Sequence, residues 1–121
     1  MKTLVDTSAW IEFFKGNADP LEMLLVENNV IIHSNVIGEL SCGNIKNRNK
    51  TLGNLKLLPK AKEASFTEAI ELIDSRHLYG KGLGFSDVQL LASALISGSA
   101  LFSFNKAVKR AALDLNIKLA E

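Results

Sequence analysis

Soft metal ligands and thiol chemistry have almost nothing to draw on in this chain. Cys42 is the only cysteine among 121 residues, so no disulfide can close within one chain and no cysteine metal cluster is possible. The ordinary expectation for such a residue is a small, buried, apolar side chain. Histidine is nearly as scarce, with His33 and His77 alone and no obvious pair between them. Long hydrophobic runs are missing too: the longest weakly polar stretch, 88–104, is interrupted by Gln89, Ser93, Ser97 and Gly98, and falls short of the roughly 18 unbroken apolar residues of a membrane span. Low-complexity tracts and repeats are absent, and no basic region followed by an apolar one opens the chain as a secretory signal would. The expectation is a cytoplasmic protein with no membrane partner.

What is there reads as one folded domain across 1–121. A hydrophobic fraction of 47% with 22% charged residues is the balance of a globular chain, and the length suits a single core. Short β-rich runs at 3–6, 30–33, 100–104 and 117–120 alternate with helix-like stretches at 7–15, 20–27, 34–42, 46–57, 67–77, 86–97 and 107–115. Alternation of this kind predicts an α/β fold. Strands joined by helical crossovers make a parallel sheet covered on both faces, with sites beyond the carboxyl ends of the strands. The loop "YGKGLGFS", 79–86, carries three glycines but lacks the preceding strand and the spacing of a phosphate-cradling loop.

Three acids sit where a solvated face explains them poorly. Asp6 ends the first strand in "LVDTSAW"; such an acid either caps the following helix or occupies a site. Asp87 is the only charged residue from Gly82 through Asn105 and opens a helix apolar almost all round, the pattern of a buried helix. Ser86 and Gln89 form a capping-box pattern there, which leaves Asp87 free of the cap. An acid at that position gains from the helix dipole, yet burial beside the core is costly unless a cation or donors neutralise it; decoration of the helix start is the alternative. Glu39, in "SNVIGELSCG", lies at the edge of the stripe of Val36, Ile37 and Leu40, with Gly38, Ser41 and Gly43 leaving room around it. A plain surface glutamate is the alternative. With these three set aside, 14 basic residues face 10 acids, a mild excess that suits a polyanionic partner.

The stretches "VDTSAW", "IGEL" and "GFSDVQLLASAL", taken in order and spacing over nearly the whole chain, resemble the acidic motifs of PIN-domain ribonucleases, and among these the VapC toxins of toxin–antitoxin pairs. The resemblance implies a three-layer α/β/α sandwich on a parallel sheet of about five strands, with Asp6, Glu39 and Asp87 gathered at one end around Mg²⁺ or Mn²⁺. Hydrolysis of a phosphodiester needs an activated water and charge stabilisation, which divalent ions supply, and hard oxygen ligands suit those ions. With only two unpaired histidines, a metal-free two-histidine nuclease is disfavoured.

Family members carry a fourth acid in a Thr-x-Asp pattern, whereas "LFSFNK" puts Ser103 and Asn105 there. Asn105 can offer a carbonyl oxygen to a metal or its water but removes a negative charge, which weakens a second metal ion. Asp114, about 13 Å along its helix, is too far to replace it; Glu12 is a conceivable substitute or an exposed charge. The resemblance makes Asp6 and Asp87 the main ligands and Glu39 a ligand or a positioner of the attacking water. It also gives Ser8 a contact with a metal-bound water or a phosphate, products with a 5′-phosphate and a 3′-hydroxyl, a homodimer, and a small VapB-like antitoxin that blocks the site. Lys106, with Lys109 and Arg110, meets the RNA backbone or forms the solvated face of the last helix; Lys46, Arg48 and Lys50 pose the same choice. Trp10, Phe13 and Phe14 are expected in the core or against a second chain. Two alternatives remain: a catalytically silent PIN-like module that binds RNA or protein, motivated by Asn105, and a receiver-type phosphotransfer domain, which "LVDTS" disfavours by ending its strand on one acid instead of two.

Overall fold

The structure, a computed structural model, describes residues 1–120. Its centre is strand β1, Thr3–Val5, three residues buried throughout. Strands β2, Val30–Ile31, and β3, Ala100–Phe102, flank it, both parallel, in the order β2-β1-β3. Thr3 faces Val30 on one side and Ala100 on the other, and Val5 faces Phe102. Each edge is extended by one further bridge: Ile32 pairs with Lys60, and Leu101 with Leu119. The sheet thus has three strands against the about five that the resemblance implies, and the two outer positions are single bridges. The expected strand at 117–120 is one of these, held where the Leu101 N–H donates to the Lys118 carbonyl and the Ala120 N–H to the Leu101 carbonyl. The other, at 59–61, lay outside every expected strand.

Seven helices among the described residues complete the α/β/α sandwich: α1 (Thr7–Phe14), α2 (Asp19–Val26), α3 (Ser34–Ser41), α4 (Arg48–Lys56), α5 (Phe66–Arg76), α6 (Phe85–Ser97) and α7 (Lys106–Asp114). They pack as two groups, α1 with α2 and α3 and α3 with α4, then α5 with α6 and α6 with α7. A strand as short and as buried as β1 exposes no polar face, so its backbone pairs on both sides and its side chains need cover above and below. Leu4, Val5, Leu91, Leu101 and Val108 are fully enclosed in that core. None of the described helices is long and apolar enough to cross a membrane.

Several boundaries differ from expectation for identifiable reasons. Helix α4 starts at Arg48 instead of 46 because Asn47 takes a left-handed conformation, φ 52. Helix α5 starts at Phe66 because Ser65 and Glu68 form a reciprocal capping box, and it stops at Arg76 because His77 turns left-handed, φ 55. β3 ends at Phe102, since the chain then turns, the Ser103 hydroxyl accepting the Asn105 N–H, and Asn105 caps α7. Helix α6 begins at Phe85, and the Ser86/Gln89 capping box does not form: Asp87 closes the cap on Gly84 instead. Nor is α6 buried all round, since Leu95 and Ile96 are 40% and 42% exposed. Cys42 is exposed, contrary to the expectation of burial; it lies at the C-terminal end of α3, beyond the buried stripe of Val36 and Leu40. Trp10 is buried and meets Phe13 edge-on, ring centres 5.7 Å apart, while Phe14 is 39% exposed.

Candidate metal and nuclease site

Asp6 leaves β1 and caps α1 in one step, for the Ala9 N–H donates to its Oδ1 at 2.9 Å. The Ser8 hydroxyl donates to the same oxygen at 2.6 Å, and the Ser103 hydroxyl donates to Oδ2. The cap reading is thus realised, and the same side chain also lines a cleft. Ser8 also accepts the Phe104 N–H at 3.0 Å, and Ser103 accepts that of Asn105 at 3.0 Å. These two hydroxyls tie the exits of β1 and β3 together, so the carboxyl ends of neighbouring strands meet at Asp6. The sole proton of Ser8 is committed to Asp6, which gives that serine an orienting place in the ground state.

Asp87 stands at the third position of α6, half-buried, with Oδ2 accepting the Gly84 N–H at 2.9 Å. Glu39, on the exposed side of α3, accepts the Thr7 hydroxyl on Oε1 at 2.6 Å. All three acids line one cleft of about 260 Å³, together with Ser8, Ser86 and Asn105. A carboxylate has about four lone-pair positions, and Asp6 uses three on protein donors, so each acid retains acceptor capacity.

The electrostatics of the cleft are those of uncompensated negative charge. Asp6 is 6% exposed. Burial pushes its carboxyl above the ordinary value, outweighing the pull of Ser103, Ser8 and the Ala9 N–H, and the nearby Asp87 carboxylate pushes in the same direction. Among the described residues the ion pairs are Lys15 with Glu12 and the contact of His33 with Glu63, so none of the three cleft acids has a basic partner. No three His, Cys, Asp or Glu side chains among the described residues form a ready metal cage; Glu39 is bonded to Thr7 and Asp87 to Gly84. The donor set itself fits a hard divalent ion: oxygen ligands only, two electrostatically coupled acids, and no lysine or arginine to neutralise them.

Asn105 lines the cleft, but its carbonyl oxygen accepts the Val108 N–H at 3.2 Å as the cap of α7. Glu12 is engaged by Lys15 at 3.4 Å and does not line the cleft, so it does not stand in for the missing fourth acid. Asp114 lies in a different concavity, as does Lys106, which borders the acid cleft without lining it. His33 caps α3, its Nδ1 accepting the Asn35 N–H at 3.0 Å, and burial holds it below its ordinary pKa, against the opposing pull of Glu63. His77 ends α5; neither histidine lines the acid cleft.

Thr7 and Ser103 are the site residues whose contacts the sequence left unassigned. Their signal was a hydroxyl beside each strand end; their partners stand 32 and 97 residues away. Asn35 and Gln89 add a cross-link between α3 and α6, Nδ2 to Oε1 at 2.5 Å.

A PIN-domain family model matches residues 3–113. Ribonuclease VapC32, in two strains of Mycobacterium tuberculosis, is 38% identical over 119 residues, which is 98% of this chain and 96% of the relative. The crystal structure of PAE2754 from Pyrobaculum aerophilum superposes with a TM-score of 0.57 at 18% identity, covering 89% of this chain and 77% of the other, a likeness of fold. Matched along almost its whole length, and with Asp6, Glu39 and Asp87 lining one cleft, the chain belongs to the PIN-domain family, in its VapC-type branch.

Proposed function

We propose that the protein is a metal-dependent endoribonuclease, the toxin of a VapBC-type pair, hydrolysing RNA phosphodiester bonds in the cleft of Asp6, Glu39 and Asp87. The observation that carries this reading is the meeting of three acids without a basic partner at the carboxyl ends of β1 and β3, in a chain 38% identical to Ribonuclease VapC32. Asp6 and Asp87 would hold Mg²⁺ or Mn²⁺, with Glu39 as a further ligand or through water. When bound, such an ion acidifies a ligated water and stabilises charge on the phosphoryl oxygens.

The chain's own residues do the rest. Ser8, Ser103 and the Ala9 N–H lock the Asp6 rotamer so that its remaining lone pair faces the cleft. Glu39, released from Thr7, accepts a proton from the attacking water and orients it. Asn105 presents its amide to the phosphate side of the cleft while its carbonyl caps α7, and Lys106 beside it meets the RNA backbone. The water oxygen bonds to phosphorus as the P–O3′ bond breaks, and the leaving 3′-oxygen takes a proton from solvent, so the products are a 5′-phosphate and a 3′-hydroxyl. A homodimer and a small VapB-like antitoxin are the partners, in the cytoplasm, where an uninhibited ribonuclease would damage its host.

Cleavage of labelled single-stranded and structured RNA in Mg²⁺, Mn²⁺ or EDTA tests this, with Asp87→Asn beside the wild type. Metal-dependent cleavage lost by about 10²-fold or more in the variant is the expected result. Asn105 motivates the second reading, a catalytically silent RNA- or protein-binding module: its carbonyl is occupied as a cap and it brings no charge. Wild-type protein that binds metal and RNA yet leaves every substrate intact would establish that reading instead.

A further inference from the structure

Beside the acid cleft lies a concavity of opposite charge, about 460 Å³ in volume, lined by Lys81, Lys106 and Arg110 with Asp114 at its side. Lys106 and Arg110 stand four residues apart on α7 and so share a face of the helix. Lys109 is not among the lining residues. Lys81 comes from the loop between α5 and α6. Gly80 and Gly82 flank it with φ of +71° and +77°, left-handed conformations that glycine adopts at no steric cost. A Cβ on Gly82 would stand 3.9 Å from that of Ala107, so the loop lies against the first turn of α7 and brings Lys81 to the same concavity.

None of the three cations makes an ion pair among the described residues. Like charges gathered in a concavity raise the local potential and draw anions to it. The basic stretch 46–50 also borders a concavity, but there only Arg48 and Lys50 supply charge, and Arg48 is tethered to the Ser41 carbonyl, Nη2 to O at 2.8 Å. The two concavities adjoin: Asn105 lines the acid one and Lys106, the next residue, lines the basic one, with Cα atoms about 3.8 Å apart.

We propose that Lys81, Lys106 and Arg110 form a backbone subsite for RNA, gripping phosphates that flank the one cleaved at Asp6 and Asp87. The inference rests on the ribonuclease reading above and adds where the strand runs: over the first turn of α7 and the glycine loop. Contacts of this kind set register and orientation without reading sequence.

The test is binding of a labelled single-stranded RNA to the full chain carrying Asp87→Asn, which spares the RNA, between about 50 and 200 mM salt. On that background Lys81→Ala, Lys106→Ala and Arg110→Ala are combined, and Lys109→Ala serves as a control of equal charge type on the same helix. Each phosphate contact contributes about 0.7 to the slope of log K against log salt for single strands. The triple variant should lose about 2 from that slope, so that its affinity falls roughly 20-fold less than the parent's across this range. Lys109→Ala should stay within about 2-fold of the parent, and with the native acids restored the triple variant should raise KM for a long RNA while leaving kcat within about 3-fold. An unchanged slope with RNA still bound overturns the subsite and leaves the ribonuclease reading intact. A slope change in Lys109→Ala of a third or more of the triple variant's also overturns it, since diffuse charge would then suffice. If the parent binds no RNA and the wild type cleaves none, both readings fall together.

Discussion

At Asp6 one carboxylate serves a helix cap, a bridge between two strand ends and the floor of a cleft. Its burial makes the folded protein hold a proton on Asp6 more tightly than the unfolded chain does. Stability from this group is therefore complete below the ordinary value of 3.8 and declines as pH rises through the raised folded value. Glu63 works in the opposite sense: burial opposes it, but hydrogen bonds from Ser34 win and hold it below its ordinary value, so its contribution is lost as pH falls. Comparing metal-free wild type with Asp6→Asn isolates the first effect. Urea unfolding in EDTA should show the stability difference, wild type minus variant, shrinking with rising pH by at most about 1.4 kcal/mol per unit; a difference that grows or stays flat between pH 4 and 7 would refute the account. The acid itself was legible as a charge closing an apolar run. Ser103 as its partner was not, because a contact 97 residues distant leaves no local pattern.

The start of α6 shows how an element can be right in kind and wrong in detail. Two patterns compete there, Ser86 with Gln89 and Gly84 with Asp87, three residues apart in each case. The second prevails because Gln89 is drawn into its bond with Asn35 on α3, leaving Asp87 to accept the Gly84 N–H. Asp87 consequently caps α6 while lining the cleft, and two substitutions separate the cap from the proposed site role. Asp87→Asn keeps a carbonyl acceptor for Gly84 and should cost at most a few tenths of a kcal/mol in stability while abolishing cleavage; Asp87→Ala should cost about 1 kcal/mol besides. Equal unfolding midpoints for the two variants would show that the cap contributes nothing. Strand lengths were the other weakness of sequence reading. β2 has two residues and the sheet edges one pairing each, too short for periodicity to bound, and only the partner strand determines where they stop.

On the scale of the whole molecule, two unlike surfaces adjoin: a negative cleft with no lysine or arginine in its lining, and a positive one in which three cations meet the single carboxylate of Asp114 without an ion pair. Net charge of +1 conceals this separation. A ligand that binds only the folded state stabilises it by mass action, about 2.7 kcal/mol at 100 times its Kd. Mg²⁺ or Mn²⁺ should accordingly raise the melting temperature by several degrees, and the rise should vanish in the double variant Asp6→Asn, Asp87→Asn. No rise in the wild type, or an equal rise in the double variant, would place the ion elsewhere or nowhere. From the chain alone came the alternation of strand and helix, the strand-end position of Asp6, the isolation of Asp87 and the family resemblance, because each is a matter of periodicity, local charge or ordered motif. Tertiary structure alone decided that Ser8 and Ser103 clamp Asp6, that Glu39 leans on Thr7, that Glu12 stays out of the cleft, and that Lys81 joins α7. These depend on which distant segments the parallel sheet brings side by side, and on donors competing for the same oxygens, neither of which any local run of residues encodes.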